Sequence, residues 1–227
     1  MNALNIIKIL SIPKSLYVCL RLFPIRQGIR LPLLIRYNTV LKRLNGKIVL
    51  AKKNIRLGTI QIGFEENNIS DGKTDRCILD IAGTIIFDGN AVLGKGTRMS
   101  IHENGTLHLG NNFYNSAKIT FICFHNIKFG NNCVTSWDTL IMDSDLHTTR
   151  DTVTGLVNES SGNVEIGDGV WIAARVTILK NTKIGNGCLV GANALITNVF
   201  DIENVLIAGV PASIRKRNIT LDATIAR

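Results

Sequence analysis

One position in every six is aliphatic in the C-terminal half of the chain, and this repeat limits the fold more than any other feature of the sequence. The repeated positions are Ile166, Ile172, Ile178, Ile184, Val190 and Ile196. A helix turns by about 100° per residue and would scatter such positions around its axis, whereas a strand keeps them on one face. One long strand would also bury Asp168, Lys180 and Asn186, which lie between these positions. The chain must therefore turn after each short strand.

Short strands, small residues beside them and a fixed period predict a β-solenoid, in which each coil buries an apolar stripe of the next coil. Weaker runs of the same spacing occur upstream, separated by breaks in register. Their repeated positions are Phe87, Leu93 and Met99, then Leu109, Asn115 and Phe121, then Phe129, Thr135 and Ile141. We expect three regions: a basic amphipathic N-terminal segment at 1–56, the solenoid at 57–212 and a C-terminal tail at 213–227.

The N-terminal segment is strongly basic. Residues 1–56 contain twelve Lys and Arg and no Asp or Glu, and apolar residues alternate with the bases. This pattern predicts basic amphipathic helices, which Pro13, Pro24 and Pro32 should limit to a few turns. No run of about 18 apolar residues predicts a spanning helix. Three roles remain open for the segment: a cap on the open end of the solenoid, a contact between subunits, or a peripheral surface that binds anionic membrane.

The cysteine pattern gives no sign of a disulfide framework or a zinc site. The five cysteines are odd in number and include no CxxC pair. This usage favours a reducing cytoplasm, with the inner face of the cytoplasmic membrane as the site of any peripheral contact. Nucleic acid is not an expected partner, because the basic segment lacks aromatic stacking platforms and any known reader motif.

The stretch IGDGVWIAARVTILKNTKIGNGCLVGANALI, residues 166–196, resembles the left-handed parallel β-helix of hexapeptide-repeat acyltransferases. The resemblance implies a left-handed coil, a homotrimer with active sites between subunits, and acetyl-CoA as co-substrate without a metal. Within the family, the chain resembles sugar and polysaccharide O-acetyltransferases. The activity implied is transfer of acetyl to a sugar hydroxyl of a bacterial surface polysaccharide (capsule, O-antigen or exopolysaccharide) or its precursor.

Residues 136–147, SWDTLIMDSDLH, resemble the stretch before the active-site loop of these enzymes. By this resemblance His147 is the general base on the acceptor hydroxyl, a role suited to an unperturbed pKa of about 6.5. Asp143 and Asp145 are expected to fix its tautomer or raise its basicity. The next residues, 148–163, have no six-residue period and predict an extruded loop beside the acceptor site.

The rest of the repeat resembles the family's acetyl-CoA platform, where small residues allow the pantetheine arm to approach the backbone. The matching positions are Trp171, Ala173, Ala174, Gly191, Ala192 and Thr197. Downstream, AGVPA at 208–212 matches the family's closing turn, and Arg215 and Lys216 follow it. Their charges are suited to hydrogen bonds with CoA phosphates.

Two other enzyme classes fit poorly. A trimeric zinc hydratase needs three histidine ligands, but His102, His108, His125 and His147 show neither the close pair nor the acidic cluster of that family. A Ser/His/Asp hydrolase is not indicated without a nucleophile elbow. Two alternatives stay open: N-acetylation of an amino sugar, and a noncatalytic solenoid that serves as an assembly scaffold.

Overall fold

Three parallel sheets run along the molecule in the computed structural model, which describes residues 3–51, 56–65 and 67–222. Helices α1 (Ala3–Leu22) and α2 (Ile25–Gly28) precede them. The strands before the central hairpin are β1 (Leu33–Ile35), β2 (Val40–Leu44), β3 (Lys47–Leu50), β4 (Ile60–Ile62), β5 (Ile78–Ile81), β6 (Thr84–Phe87), β7 (Ala91–Lys95), β8 (Arg98–Ile101), β9 (Thr106–Leu109), β10 (Phe113–Ala117), β11 (Thr120–Cys123), β12 (Asn126–Phe129), β13 (Val134–Thr135) and β14 (Leu140–Met142). The hairpin strands are β15 (Thr149–Arg150) and β16 (Val157–Asn158). The later strands are β17 (Val164–Ile166), β18 (Trp171–Ile172), β19 (Thr177–Ile178), β20 (Thr182–Ile184), β21 (Leu189–Val190), β22 (Leu195–Ile196), β23 (Val199–Phe200), β24 (Val205–Gly209) and β25 (Ala212–Arg217).

Each coil contributes one strand to each sheet. Sheet 1 has the order β1-β4-β7-β10-β13-β18-β21-β24-β25, sheet 2 the order β2-β5-β8-β11-β14-β19-β22, and sheet 3 the order β3-β6-β9-β12-β17-β20-β23. We call the turns from sheet 1 to sheet 2, from sheet 2 to sheet 3, and from sheet 3 to the next coil the first, second and third corners. The predicted fold class, an all-β solenoid of the left-handed parallel β-helix type, is confirmed.

The repeated positions found in the sequence lie in register across the coils. Sheet 1 aligns Leu93, Asn115, Thr135, Ile172 and Val190. Sheet 2 aligns Met99, Phe121, Ile141, Ile178 and Ile196. Sheet 3 aligns Phe87, Leu109, Phe129, Ile166 and Ile184. All fifteen are buried, so they form the core, and the breaks in register come from corners of unequal length.

Two of these buried core positions, Asn115 and Thr135, are polar, and their side chains are hydrogen-bonded to each other. The Asn115 amide nitrogen donates to Thr135 Oγ1 at 2.9 Å and to the Ser136 carbonyl at 2.7 Å. Its side-chain oxygen accepts from the Gly94 amide at 3.3 Å. Because a buried amide costs free energy only when its groups are unpaired, Asn115 and Thr135 can replace aliphatic residues here.

Corner residues adopt left-handed backbone at equivalent places in successive coils. At the third corner φ lies between 54° and 65° for Asn112, Asn132, Gly169, Gly187 and Asn204. Asparagine and glycine tolerate this region better than other residues do. At the first corner φ is also positive for Gly96, Lys118, Asp138, Arg175 and Asn193. The chain therefore turns in the same way at each level of the stack.

The N-terminal segment contains the first coil as well as helices. Strands β1–β3 pair in parallel with β4–β6, so the coil begins at Leu33, before the expected boundary at residue 57. Their apolar residues stand at irregular spacings and show no six-residue period. Helix α1 continues through Pro13 and is longer than the few turns expected. Hydrogen bonds hold the helix on both sides of the proline, from the Tyr37 amide to Ser11 before it and between Ser15 and Ile35 of β1 after it.

At the other end, β25 pairs antiparallel with β24, so the segment expected as a tail begins as a strand. Residues 223–227 of that tail lie outside the described residues. Neither described helix has the length and apolar character needed to cross a bilayer.

Candidate active site at the second corner

A β-hairpin leaves the coil at the second corner, between β14 and β17, in the region expected to form an extruded loop. Its base is closed by the Gly162 amide, which donates to the Asp143 carbonyl at 2.9 Å, and by the Asp145 amide, which donates to the Ser160 carbonyl at 2.8 Å. Strands β15 and β16 then pair antiparallel. These bonds make the hairpin a defined structural element rather than a loose insertion.

His147 lies between the base of this hairpin and β15, with its side chain exposed. Within the described ranges its ring has no hydrogen-bond partner. The preceding residue, Leu146, has a φ of 65°, and its amide donates to Ser144 Oγ at 3.1 Å. A leucine with positive φ is uncommon and tends to occur where the chain is held for function. His147 is therefore accessible to an acceptor, and a local turn sets its direction.

Asp143 has a different role from the one expected of it. Its carboxylate is fully buried and accepts from the Phe124 amide at 2.7 Å and from the His125 amide at 2.8 Å. Burial and then the neighbouring Asp143 carboxylate raise the pKa of the Cys123 thiol. Asp143 therefore joins the hairpin base to the corner of the preceding coil and does not bond to His147.

Asp145 is also engaged elsewhere. Its carboxylate lies 2.7 Å from Lys180 Nζ, and the same ammonium donates to the Glu159 carbonyl. Lys180 thus connects the two strands of the hairpin base to the next coil. In the sequence Lys180 is only a polar residue between repeated positions, because nothing in the repeat shows which lysine faces a neighbouring corner.

The preceding coils place aromatic rings on the same corner. The His102 and Phe124 rings stack with centroids 4.5 Å apart and planes inclined by 10°. His125 follows Phe124 and is exposed. No pattern in the sequence indicates that His102 and Phe124 meet, since the contact depends on the lengths of two corners.

The predicted cofactor residues fall at two different corners. Ala173, Ala174, Gly191 and Ala192 occupy the first corner of two successive coils, with Trp171 on sheet 1 before them. Thr197 follows β22 at the second corner, on the hairpin side of sheet 2. The structure therefore brings the small residues together and places Thr197 on the opposite edge of sheet 2.

Close packing explains the small side chains at the first corner. A Cβ on Gly191 would lie 2.8 Å from the Ala208 Cβ atom. The Ala173 amide donates to the Val190 carbonyl at 2.9 Å, and the Gly191 amide to the Ile207 carbonyl at 2.8 Å. Because both amides are already bonded within the coil, these residues can favour a ligand through their size rather than as donors.

Arg215 and Lys216 lie on β25, at the C-terminal end of the stack. Both are exposed, and Arg215 Nε donates to the Ala208 carbonyl at 3.1 Å. They stand near Gly191 through the β21–β24–β25 pairing. Among the described residues no cluster of three His, Cys, Asp or Glu side chains could hold a metal ion.

Comparisons with known proteins agree with the repeat. Residues 163–198 match the model described as bacterial transferase hexapeptide (six repeats). The chain carries the hexapeptide repeat of bacterial transferases. This chain is 29% identical over 149 residues to a putative lipopolysaccharide biosynthesis O-acetyl transferase, WbbJ, of Escherichia coli K12, covering 62% of this chain and 76% of the relative.

Two further proteins are similar to this chain. The galactoside O-acetyltransferase of Escherichia coli K12 is 26% identical over 167 residues, covering 73% of this chain and 79% of the relative. A solved structure of the polysialic acid O-acetyltransferase OatWY has a TM-score of 0.49 at 24% identity, covering 82% of this chain and 88% of that one. The curated relatives named here are acetyltransferases, and the recognition made from the sequence is confirmed.

Proposed function

We propose that this protein transfers an acetyl group from acetyl-CoA to a hydroxyl of a bacterial surface-polysaccharide sugar or its precursor. The observation that carries the proposal is an exposed histidine, His147, on a braced hairpin that projects from a hexapeptide-repeat coil. The O-acetyltransferase names of the relatives support the same reaction class.

In the proposed mechanism the acceptor oxygen attacks the thioester carbonyl while His147 removes its proton. A C–O bond forms, the C–S bond breaks, and the proton passes to the departing CoA sulfur. A backbone amide stabilises the oxyanion of the intermediate. Asp143 and Lys180 hold the hairpin base, so their contribution is to the position of His147 rather than to its proton transfer.

Acetyl-CoA fits the groups that the coil presents. The first corner offers a surface without long side chains at Ala173, Ala174, Gly191 and Ala192. Arg215 and Lys216 lie beyond it as charged donors for phosphate oxygens. We propose that Trp171 and Thr197 border the same co-substrate, as the resemblance implies.

We further propose a homotrimer, since the apolar tip of the hairpin has little cover within the chain. Val153 is 92% exposed, and Leu156 and Val157 are also exposed. A neighbouring chain would bury them and bring its own platform towards His147. Light scattering should give the mass of three chains, and a monomer at micromolar concentration would contradict the assembly.

We propose that the protein works in the cytoplasm, where acetyl-CoA is available, and contacts the inner face of the membrane peripherally. The bases of residues 1–56 support this location, because anionic lipid attracts basic segments.

The test of the reaction is His147→Ala, assayed for acetyl transfer to a panel of sugars and oligosaccharides. Because general-base catalysis contributes about 10²- to 10⁴-fold, we expect kcat to fall by that order with CoA affinity unchanged. The matched control is His108→Ala, which removes a histidine paired with Asp88 on the outside of the coil. Full turnover of the His147 variant would remove it from the mechanism.

The nature of the product separates the two alternatives. Hydroxylamine should cleave the product, because it attacks an ester and leaves an amide intact; a resistant product would indicate N-acetylation. A noncatalytic scaffold predicts no binding of CoA, so titration calorimetry with CoA tests that alternative directly.

A further inference from the structure

Helix α1 packs against the coil through a small polar face. The Ser15 hydroxyl donates to the Ile35 carbonyl at 3.2 Å and accepts from the Ile35 amide at 3.0 Å. Ser11 Oγ accepts from the Tyr37 amide at 2.9 Å, and Cys19 Sγ lies 3.4 Å from the Leu33 carbonyl. Four residues of helix span about 6.0 Å and two residues of strand about 6.6 Å, so these contacts repeat in register. The helix thus provides hydrogen-bond partners for the backbone groups at the free edge of β1.

The opposite face of α1 is apolar and points away from the coil. Exposed fractions are 43% for Ile6, 52% for Ile9, 60% for Leu10, 55% for Tyr17 and 42% for Leu20. Beyond the helix, Ile25 and Ile29 are exposed by 70% and 61%. Single exposed apolar residues are ordinary, but a row from Ile6 to Leu20, along about four helical turns, is not. We call Ile6, Ile9, Leu10, Tyr17, Leu20, Ile25 and Ile29 the outer face.

Bases border this outer face. Arg21, Arg26 and Arg30 are exposed at its C-terminal end. Lys8 and Lys14 instead face the coil: Lys8 Nζ lies 5.8 Å from the Phe64 ring centroid, and Lys14 Nζ donates to the Thr39 carbonyl at 2.9 Å. The first acid of the chain is Glu65, and its carboxylate accepts from the Tyr114 hydroxyl on the coil at 2.8 Å. An apolar face with a basic border suits an anionic lipid surface. A symmetric contact between two copies would instead bring the arginines of both together without a neutralising acid in 1–56.

We propose that the outer face inserts into the headgroup region of an anionic membrane while the polar face of the same helix caps the coil. The proposal names the surface for the membrane contact and so rests on the location given under the proposed function. The proposal also sets the distance between the active site and the membrane surface. Four coil steps of about 4.8 Å separate the first coil from the hairpin's coil, which places the hairpin roughly 20 Å beyond the cap along the axis. An acceptor sugar that lies several sugar units from a lipid anchor would reach the hairpin at this distance.

The test is sedimentation of the full chain with vesicles of phosphatidylglycerol and phosphatidylcholine in equal parts. The apolar variant carries Ile9→Gln, Leu10→Gln and Leu20→Gln, since glutamine keeps helix propensity. We expect its vesicle partition to fall by about tenfold or more, because three inserted side chains are lost. A matched control replaces exposed aliphatic residues of the coil, Ile69→Gln, Val199→Gln and Val210→Gln, and should bind as the native chain does.

A second variant tests the charges. Arg21→Gln, Arg26→Gln and Arg30→Gln together should lower the partition roughly a hundredfold at low salt, at about fivefold for each base. The control Lys73→Gln, Arg76→Gln and Lys128→Gln removes three exposed bases of the coil and should have little effect. Pure phosphatidylcholine should bind the native chain weakly, and salt should weaken binding to the anionic vesicles.

Native-like vesicle binding by the apolar variant would overturn the proposal. Loss of the oligomer by that variant in light scattering would also overturn it, because the outer face would then join subunits. Titration with CoA, without vesicles, separates the proposed function from the proposed membrane surface. A chain that binds vesicles but not CoA would contradict the proposed function and leave the membrane surface standing.

Discussion

At the scale of single residues, the two aspartates near His147 show how position in sequence differs from position in space. Asp143 precedes His147 by four residues, yet its carboxylate bonds to the amides of Phe124 and His125 in the preceding coil. Asp145 faces Lys180 of the following coil. The hairpin is thus braced from both sides by carboxylates that the sequence suggested would act on the histidine directly.

Asp143→Asn tests this distinction. An asparagine oxygen can accept one of the two amide hydrogens, but its NH₂ group faces the other. We expect the free energy of unfolding to fall by about 1.5–3 kcal/mol, as for hydrogen bonds to a buried charge. Urea denaturation measures this loss. If Asp143 instead acted on His147, stability would hold and the pH profile of kcat/KM would shift; Asp145→Asn, at an exposed pair, is the comparison and should cost little stability.

At the scale of elements, the cap and the hairpin both depend on backbone groups that the coil leaves free. The first strand of a solenoid has an unpaired edge, which is a hazard for association. Helix α1 covers that edge with serine side chains, and β25 pairs with β24 at the other end. The stack therefore ends in defined structures on both sides.

Ser15→Ala should weaken the cap. The buried Ile35 amide and carbonyl would lose their partner, and an unsatisfied buried group costs about 1–3 kcal/mol. Thermal unfolding measures the loss. Ser70→Ala, which removes a half-buried loop hydroxyl bonded to Asn67, is the control and should change stability less. Equal effects of the two substitutions would show that the serine contacts do not hold the helix.

At the scale of the whole molecule, the interior of the coil and the contact between α1 and β1 bury the cysteine side chains. All five cysteines are free and buried. Burial raises the pKa of Cys19, Cys77 and Cys133 to about 11 each. The thiols therefore stay protonated near neutral pH and serve as packing groups rather than nucleophiles.

The raised pKa values of these thiols predict that the free energy of unfolding falls at alkaline pH. A group whose pKa is raised by folding stabilises the native state below its unfolded pKa, near 9, and this contribution disappears as pH rises towards 11. At pH 10 each of the three thiols should cost about 1 kcal/mol of unfolding free energy relative to pH 7. Urea midpoints at the two pH values measure the change. The Cys19→Ala, Cys77→Ala and Cys133→Ala triple variant should lose less, and an equal loss would contradict the assignment.

The repeat in the sequence was sufficient to predict the fold, because the burial that produces the repeat is decided within each short strand. Each strand must place its aliphatic residue inwards, and the same rule holds at every level, so even Asn115 and Thr135 were assigned to their places in the core. The first coil was missed because Leu33, Leu44 and Ile48 stand at irregular spacings. There the pairing with β4–β6 decides the structure, and pairing between distant strands leaves no period to find.

The sequence by itself determined the coil, its core positions and the basic N-terminal segment, while the resemblance to O-acetyltransferases led to the prediction that His147 is a base. Only the tertiary structure decided what surrounds those features: the partners of Asp143 and Asp145, the contact of Lys180, and the face of α1 that meets β1. The physical reason is that burial along a repeat depends on neighbours in sequence. Contacts between corners depend instead on how many residues each turn contains, and a single chain's local pattern does not carry that information.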